Sequence, residues 1–317
     1  MKKIKAVILG CQGTELTVEE RGFFRSENPL GLILFKRNIQ SPEQVKALTD
    51  DFRMCVGRPN APILIDQEGG RVQRLKQPYW VELPPAKTYG DLYLTRPEQA
   101  QKEVLKHTDI LAENLKTVGV NVDCWPCLDV LTDSVHDMIG DRCFSNNPDI
   151  VVQLGQLAVD RMLKQGIMPV IKHIPGYGRA LVDPHLSLPV VRENSDILKK
   201  TDFYPFAQIK TPVWGMTAHV IYECLDKELP ATLSKKVISY IRNEIGFNGF
   251  LICDDMKMGA LKEDGTEREI TVKMWTARCD TVLHCSGVLA EAQDLISVIP
   301  DLSEESIRRL EKADSLL

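Results

Sequence analysis

The sequence predicts an α/β fold, a single-domain (β/α)8 barrel of the TIM type that spans residues 1–317. Eight short apolar runs recur along the chain, each bounded by turn residues, as is typical of strands buried on both faces of a parallel sheet. Amphipathic helical patterns separate most of these runs. The 317 residues also suffice for this fold, which commonly takes about 250 residues.

The eight predicted strands are all apolar and short. They cover residues 4–10, 31–35, 62–66, 119–123, 168–172, 213–219, 249–254 and 281–285. A doubly wound open sheet is the alternative arrangement of alternating strands and helices. It has less support, because no GxGxxG motif follows the first strand.

Capping residues indicate where several helices begin. Ser41 precedes Pro42, and Asn147 precedes Pro148, so each pair combines an N-cap residue with proline in the first turn. Ser234 is expected to cap a third helix. The helical patterns extend from residue 42, then over 98–118, from 147 to about 166, and over 235–245, 266–278 and 303–317.

The composition of the chain argues against some classes of binding partner and indicates a cellular compartment. The 39 Lys and Arg and 44 Asp and Glu give a net charge of −5 without a basic stripe, which argues against nucleic acid. No apolar run approaches the ~18 residues of a membrane span, and the N-terminal run is too short for a signal peptide. An odd count of nine cysteines, many in apolar runs, suggests reduced thiols. We therefore expect a cytoplasmic protein, and a monomer.

Polar residues stand at the ends of four predicted strands, where a barrel places its functional groups. Asp66 closes the third strand, Lys172 and His173 close the fifth, and His219 closes the sixth. Asp254 and Asp255 close the seventh strand. Because side chains alternate along a strand, Asp255 is expected to face away from Asp254.

The segment after the fifth strand combines a glycine-rich turn with an acid–base pair. Lys172 to Gly178 reads KHIPGYG, and Asp183, Pro184 and His185 follow. A carboxylate beside an imidazole holds its tautomer and raises its pKa from about 6.5. His185 with Asp183 therefore suits proton transfer near neutral pH.

These residues fit retaining glycoside hydrolysis. Asp254, on a rigid strand end, would be the nucleophile, and His185 would replace the second carboxylate of the usual arrangement as the acid/base group. Charged side chains would bind the sugar hydroxyls through strong hydrogen bonds. These candidates are Asp66, Arg74, Arg142 and Lys172.

Other chemistries use similar residues. A barrel metallohydrolase would take its ligands from His173, His185, His219 and Asp254, although the first strand lacks a His-x-His pair. Lys172 is a conceivable Schiff-base lysine. Cys124 and Cys127 form a CxxC motif, but a zinc or redox centre is disfavoured without a second CxxC. A barrel that binds sugar without turnover is a further alternative.

Four segments together resemble the β-N-acetylhexosaminidases of glycoside hydrolase family 3. They are DQEGGRVQR at 66–74, the segment 172–185, TAHVIY at 217–222 and CDDMKM at 253–258. The similarity extends from residue 31 to about 285 and is closest to the single-domain cytoplasmic enzymes of peptidoglycan recycling. Their combination in this order is specific, whereas each motif alone is weak.

The resemblance implies a retaining exo-glycosidase that removes terminal β-linked N-acetylglucosamine, typically from anhydromuropeptides. A small carbohydrate is therefore the expected partner, and no cofactor or metal is implied. Asp254 would be the nucleophile, His185 the acid/base group on a mobile loop, and Asp183 its partner. The residues implied to line the sugar site are Asp66, Arg74, Arg142, Lys172 and His173.

Three departures from the family pattern concern loops. Tyr177 stands where the family usually has His, and Pro184 stands where it usually has Ser. Residues 257–269 also lack the usual small, apolar continuation. Because an imidazole acid/base does not repel anions as a carboxylate does, a phosphorylase that releases sugar 1-phosphate remains an alternative within the family.

Overall fold

A computed structural model describes residues 3–132, 139–180 and 188–317. Eight parallel strands form one sheet in which neighbours follow chain order, and the last strand pairs with the first. The strands are β1 Lys5–Gly10, β2 Pro29–Leu34, β3 Ile63–Ile65, β4 Val122–Asp123, β5 Met168–Ile174, β6 Trp214–Thr217, β7 Leu251–Cys253 and β8 Val282–His284. Every residue of β2 and β5 is buried, as expected of strands covered on both faces.

The barrel closes between β7 and β8 through a narrow seam. A parallel bridge joins Ile252 to Thr281, the residue before β8. Two backbone hydrogen bonds support it, from Asp280 N to Leu251 O at 2.9 Å and from Cys253 N to Thr281 O at 3.4 Å. The predicted TIM-type barrel is therefore confirmed, with one side of β7 paired less extensively than the other.

Helices cover the outside of the barrel. In the described residues they are α1 Val18–Glu27, α2 Pro42–Val56, α3 Ala86–Tyr93, α4 Pro97–Thr117, α5 Pro148–Lys164, α6 Ser195–Lys200, α7 Tyr204–Gln208, α8 Lys235–Tyr240, α9 Glu267–Ala277, α10 Leu289–Ile296 and α11 Glu304–Asp314. A π-helix, Ile241–Ile245, continues α8. Two short strands outside the barrel, Val190–Val191 and Ile221–Tyr222, pair with each other.

The predicted helix starts are confirmed by their caps. Side-chain oxygens of Ser41, Asn147 and Ser234 accept hydrogen bonds from backbone N–H groups of α2, α5 and α8. Each such cap stabilises its helix by about 1 kcal/mol. The π-helix ends at Gly246, whose φ of 77° suits the left-handed C-cap conformation of glycine.

Several elements differ from the prediction. Helices α1, α3, α6, α7 and α10 were not predicted: α1 contains Gly22, and α10 begins without a side-chain cap. β5 continues past Lys172 to Ile174, so His173 lies inside the strand rather than at its end. β3 ends at Ile65, one residue before Asp66.

The cysteines of the chain are reduced and almost all buried. All nine cysteines are free, and only Cys224 is exposed. Across residues 3–132, 139–180 and 188–317, no helix combines the length and apolar character that a membrane span needs.

A buried carboxylate beside the seam connects several elements. Asp280 is 2% exposed. Its Oδ2 accepts hydrogen bonds from Arg242 Nη2 at 2.7 Å and Leu251 N at 2.8 Å. Its Oδ1 accepts from Arg309 Nη1 at 2.7 Å and Ser306 Oγ at 2.8 Å. One side chain thus ties β7 to the helical region of Arg242 and to α11.

We predict that Asp280→Asn lowers the free energy of unfolding by about 3 kcal/mol, because two arginines lose their shared buried carboxylate. Asp294→Asn is the control, since Asp294 pairs with Arg268 at the surface with 63% of its side chain exposed, and should change stability by less than about 1 kcal/mol. Urea unfolding measures both. If Asp280→Asn lowers the free energy of unfolding as little as Asp294→Asn is expected to, the hydrogen-bond network of Asp280 is unimportant for stability.

Candidate active site

A cavity of about 290 Å³ lies at the carboxyl ends of the barrel strands. It brings together six side chains that the sequence analysis selected from distant parts of the chain. These are Asp66, Arg74, Arg142, Lys172, His173 and Asp254. Apolar groups complete much of the wall, namely Val72, Ile139, Tyr177, Met216 and Met258.

Lys172 places a buried ammonium group in the wall of this cavity, since the residue is 1% exposed. Its Nζ lies 2.9 Å from Asp66 Oδ1 and 2.7 Å from Glu68 Oε1. Burial opposes the charge of Lys172, but these two carboxylates outweigh it and raise its pKa above the usual range. Lys172 is therefore a fixed cation, which does not suit a Schiff-base lysine that must lose its proton.

Two arginines complete this ion cluster. Arg142 binds Glu68 with both ends of its fork, Nε to Oε2 at 3.0 Å and Nη2 to Oε1 at 2.7 Å. Arg74 Nη2 lies 3.3 Å from Asp66 Oδ2. Burial alone would raise the pKa values of Asp66 and Glu68, but the surrounding cations lower both. The carboxylates therefore stay ionised and accept hydrogen bonds at neutral pH.

Asp254 directly follows β7 and opens into the cavity. Its Oδ1 accepts a hydrogen bond of 2.8 Å from the backbone N–H of Asp255. Asp255 turns away, as expected, and its Oδ1 accepts from Lys257 N at 3.1 Å and Cys285 N at 3.2 Å. Burial raises the pKa of Asp255. The two neighbouring carboxylates therefore occupy different environments.

His219 lies behind this strand end. Its Nδ1 is 2.8 Å from Thr232 Oγ1, and its Nε2 is 3.1 Å from the carbonyl oxygen of Asp255. Burial lowers the pKa of His219, so the neutral ring supports the Asp254–Asp255 segment. Both ring nitrogens are engaged in protein hydrogen bonds. The described members of the metallohydrolase ligand set therefore do not converge on one point.

His173 reaches the cavity beside Lys172 because the pairing of β5 with β6 shifts register between Lys172 and Ile174. Its Nδ1 lies 2.7 Å from Asp129 Oδ2. The other oxygen, Asp129 Oδ1, accepts from Tyr177 N at 2.7 Å. Burial opposes charge on His173, but Asp129 outweighs it and raises the pKa of His173 to about 9. Asp129 thus fixes both the imidazole ring and the start of the following turn.

Glu68 and Asp129 support the site, although the sequence motifs assign no role to either residue. Glu68 stands inside the motif at 66–74, and its 3% exposure shows that it belongs to the buried cluster. Asp129 lies in the segment that follows β4, in which Cys127 forms an isolated parallel bridge with Lys172 of β5. The expectation that functional groups stand at strand ends selects Asp123, the last residue of β4, rather than Asp129.

The chain leaves β5 along the edge of the cavity. Tyr177 is 3% exposed and lines the cavity. Gly178 packs against the loop after β4 so closely that a Cβ there would lie 1.8 Å from the carbonyl oxygen of Val130. Only glycine fits this approach. The predicted pair Asp183 and His185, together with Pro184, lies outside the described residues.

Comparison with known proteins shows the family of this chain and agrees with its fold. Residues 11–314 match the glycosyl hydrolase family 3 N-terminal domain. The chain is 38% identical over 286 residues to the β-hexosaminidase of Alkalilimnicola ehrlichii, covering 88% of this chain and 80% of the relative. It is 35% identical over 288 residues to the β-hexosaminidase of Stenotrophomonas maltophilia, covering 90% and 84% of the two chains.

Among solved structures, the chain is similar to NagZ from Neisseria gonorrhoeae in complex with N-trifluoroacetyl-D-glucosamine. The TM-score is 0.87 at 30% identity, and the match covers 98% of this chain and 90% of that one. The chain is therefore a glycosidase built on a barrel fold. The chain belongs to glycosyl hydrolase family 3.

The ion cluster predicts a dependence of stability on pH. Because the folded-state pKa of Glu68 is lowered, its ionised form stabilises the fold above the unfolded pKa of about 4.3, and this stabilisation is lost as pH falls further. We expect Glu68→Gln to lower the free energy of unfolding by about 3 kcal/mol at neutral pH. The difference from the original protein should narrow below about pH 4.3.

Urea unfolding at several pH values measures this difference. Glu82→Gln is the control, because Glu82 is exposed in the loop after β3 and should change stability by less than about 0.5 kcal/mol. If the stability difference between Glu68→Gln and the original protein stays constant through the acid range, Glu68 does not stabilise the fold as an ionised carboxylate.

Proposed function

We propose that this protein is a retaining exo-β-N-acetylglucosaminidase with Asp254 as its nucleophile. One observation carries the proposal: Asp254 opens into the cavity, whereas Asp66 and Glu68 are already bound by cations. Within the described part of the chain, the hydrogen bond to Asp254 comes from the backbone N–H of Asp255. Its other oxygen therefore keeps lone pairs for attack on a sugar carbon.

The size and lining of the cavity support binding of one terminal sugar. Its volume of about 290 Å³ lies at the lower end of the range for small-ligand pockets, about 300–1,000 Å³. Ionised carboxylates and guanidinium groups form strong hydrogen bonds with hydroxyls, which supports sugar-binding roles for Asp66, Arg74 and Arg142. Lys172 and His173 would complete this polar wall, while Met216 and Met258 offer contact to apolar parts of the sugar.

For the acid/base group we propose His185, oriented by Asp183. Support comes from the motif at 172–185 and from the close packing of Gly178, which directs the chain from β5 along the cavity edge. An imidazole beside a carboxylate can donate a proton and later accept one near neutral pH.

The reaction would then proceed in two displacements. Asp254 attacks the anomeric carbon, the bond to the leaving oxygen breaks, and His185 gives that oxygen its proton. In the second step His185 takes a proton from water, whose oxygen displaces Asp254 from the sugar. The two displacements together retain the anomeric configuration.

The substrate that we propose is inferred from the names of the relatives and from the sequence motifs. Two relatives are named β-hexosaminidase, and the gonococcal NagZ was solved with an N-acylated glucosamine. We propose β-linked N-acetylglucosamine as the glycone, and peptidoglycan-derived anhydromuropeptides as its natural source. We further propose that residues 1–317 act as one monomeric domain. The nine free thiols support the proposal that the protein acts in the reducing cytoplasm.

Asp254→Ala should lower turnover of an aryl β-N-acetylglucosaminide by about 10⁴-fold or more, because no covalent intermediate forms. Asp255→Asn is a matched control, since Asp255 lies outside the cavity lining, and should retain activity within about tenfold. Substantial turnover by Asp254→Ala would overturn the nucleophile assignment. Trapping of a glycosyl–protein adduct by mass spectrometry provides an independent check.

His185→Ala should slow substrates with poor leaving groups by about 10²- to 10⁴-fold, since these need a proton from the acid. Nitrophenolate leaving groups need little protonation, so their rates of glycosylation should change much less. Rates across a series of aryl glycosides measure this dependence. An equal loss for good and poor leaving groups would exclude His185 as the acid.

A phosphorylase is the second candidate, because Arg71, Arg74 and Arg142 line the cavity and would attract phosphate. The hydrolase proposal predicts free N-acetylglucosamine as the product, with no change in rate when phosphate is added. Analysis of products with and without phosphate separates the two. Acceleration by phosphate together with sugar 1-phosphate as product would establish the phosphorylase instead.

A further inference from the structure

An arginine side chain connects the two described stretches that flank residues 181–187, the segment in which the proposed acid/base group His185 stands. Arg179 precedes this segment, and Glu193 follows it. Arg179 Nε donates a hydrogen bond of 2.7 Å to Asp202 Oδ2, and Arg179 Nη1 lies 3.8 Å from Glu193 Oε2. One guanidinium group therefore links the approach to the segment with the stretch beyond it.

The carboxylate of Asp202 is the buried partner in this arrangement. Asp202 is 1% exposed and lies between α6 and α7. Thr201 Oγ1 lies 2.7 Å from Asp202 Oδ2 and accepts a hydrogen bond of 3.3 Å from Arg179 Nη2. Hydrogen bonds between ionised groups are short and directional. These contacts therefore fix where the Arg179 side chain lies.

The turn after β5 is held at the same place. Gly176 packs so closely on Asp202 that a Cβ on this glycine would lie 2.5 Å from the carbonyl oxygen of Asp202. The carbonyl oxygen of Gly176 accepts a hydrogen bond of 2.7 Å from Tyr222 Oη. The carbonyl oxygen of Gly178 accepts one of 2.9 Å from Thr132 Oγ1. The chain therefore approaches the acid/base segment from a turn that its neighbours fix on several sides.

The stretch beyond the segment is attached to the same neighbour. Val190–Val191 pairs with Ile221–Tyr222, and the backbone N–H of Glu223 donates a hydrogen bond of 3.0 Å to the carbonyl oxygen of Val191. Tyr222 thus contacts the chain before the segment through its hydroxyl and the chain after it through its backbone strand.

We propose that Arg179 and Asp202 are positioning residues for the acid/base group, because their ion pair fixes the start of the segment that carries His185. This inference rests on the proposed function, in which His185 is the acid. Both residues belong to the described part of the chain and neither lines the sugar cavity, so they act through His185. Misplacement of a catalytic group by about 1 Å can cost about 10²-fold in rate. Loss of the ion pair should therefore slow proton transfer and leave binding of the terminal sugar intact.

The test compares Asp202→Asn and Arg179→Gln across a series of aryl β-N-acetylglucosaminides. Each variant should lower kcat/KM by about 10- to 100-fold for poor leaving groups. For nitrophenyl leaving groups, which need little protonation, the loss should be less than about threefold. Inhibition by N-acetylglucosamine, which reports binding of the terminal sugar, should stay within about twofold. A defect in folding alone would not produce this selective loss.

Two further variants sharpen the comparison. Arg179→Lys keeps the positive charge and should recover part of the rate for poor leaving groups that Arg179→Gln loses. Arg192→Gln is the matched control, because Arg192 pairs with Glu223 at 3.0 Å on the same flank but is 74% exposed. It should change no rate by more than about twofold. Because Arg179 is partly exposed, its variants keep the proposal testable even if Asp202→Asn does not fold.

His185→Ala separates this proposal from the function on which it rests. Adding Asp202→Asn to His185→Ala should cause less than about twofold further loss, because its effect passes through His185. If His185→Ala shows the expected leaving-group dependence but the ion-pair variants slow good and poor leaving groups equally, or change neither, the positioning role is wrong and the function stands. An equal loss for good and poor leaving groups in His185→Ala itself would overturn both.

Discussion

A lysine ammonium buried at the mouth of a barrel must be neutralised, because an isolated charge there would cost several kcal/mol. Lys172 is neutralised by Asp66 and Glu68, and Glu68 in turn binds Arg142. These residues come from β5, the loop after β3 and the 3-10 helix after β4. The ion cluster therefore brings these segments together at the cavity and holds their side chains in place.

The remaining groups of the site are fixed in a similar way by partners behind them. Asp129 orients His173, and His219 supports the backbone at Asp255. Because these supporting residues are buried, the side chains that face the cavity have few alternative positions. Asp254 differs, since a strand end and one backbone N–H hold it. In the proposed mechanism, the ion-paired Asp66 therefore helps to bind the sugar, whereas Asp254 reacts with it.

Sequence reasoning located the strands well, since a fully buried strand requires an apolar run such as 168–172. It also located Asp66 and Asp254, because barrels place functional groups after strands. It did not find α10, whose start lacks a capping side chain. It missed the roles of Glu68 and Asp129 because burial of a carboxylate depends on partners far away in the chain. Spacing alone does not reveal an ion cluster of this kind.

The narrow seam between β7 and β8 has a consequence for how the molecule responds to heat. The bridge between Ile252 and Thr281 is flanked by few backbone hydrogen bonds, so amide exchange with solvent should be fastest there among the barrel strands. Asp254 follows the strand that borders this seam. Fraying at the seam would displace this carboxylate while the rest of the barrel is intact. Thermal inactivation should then precede the loss of secondary structure.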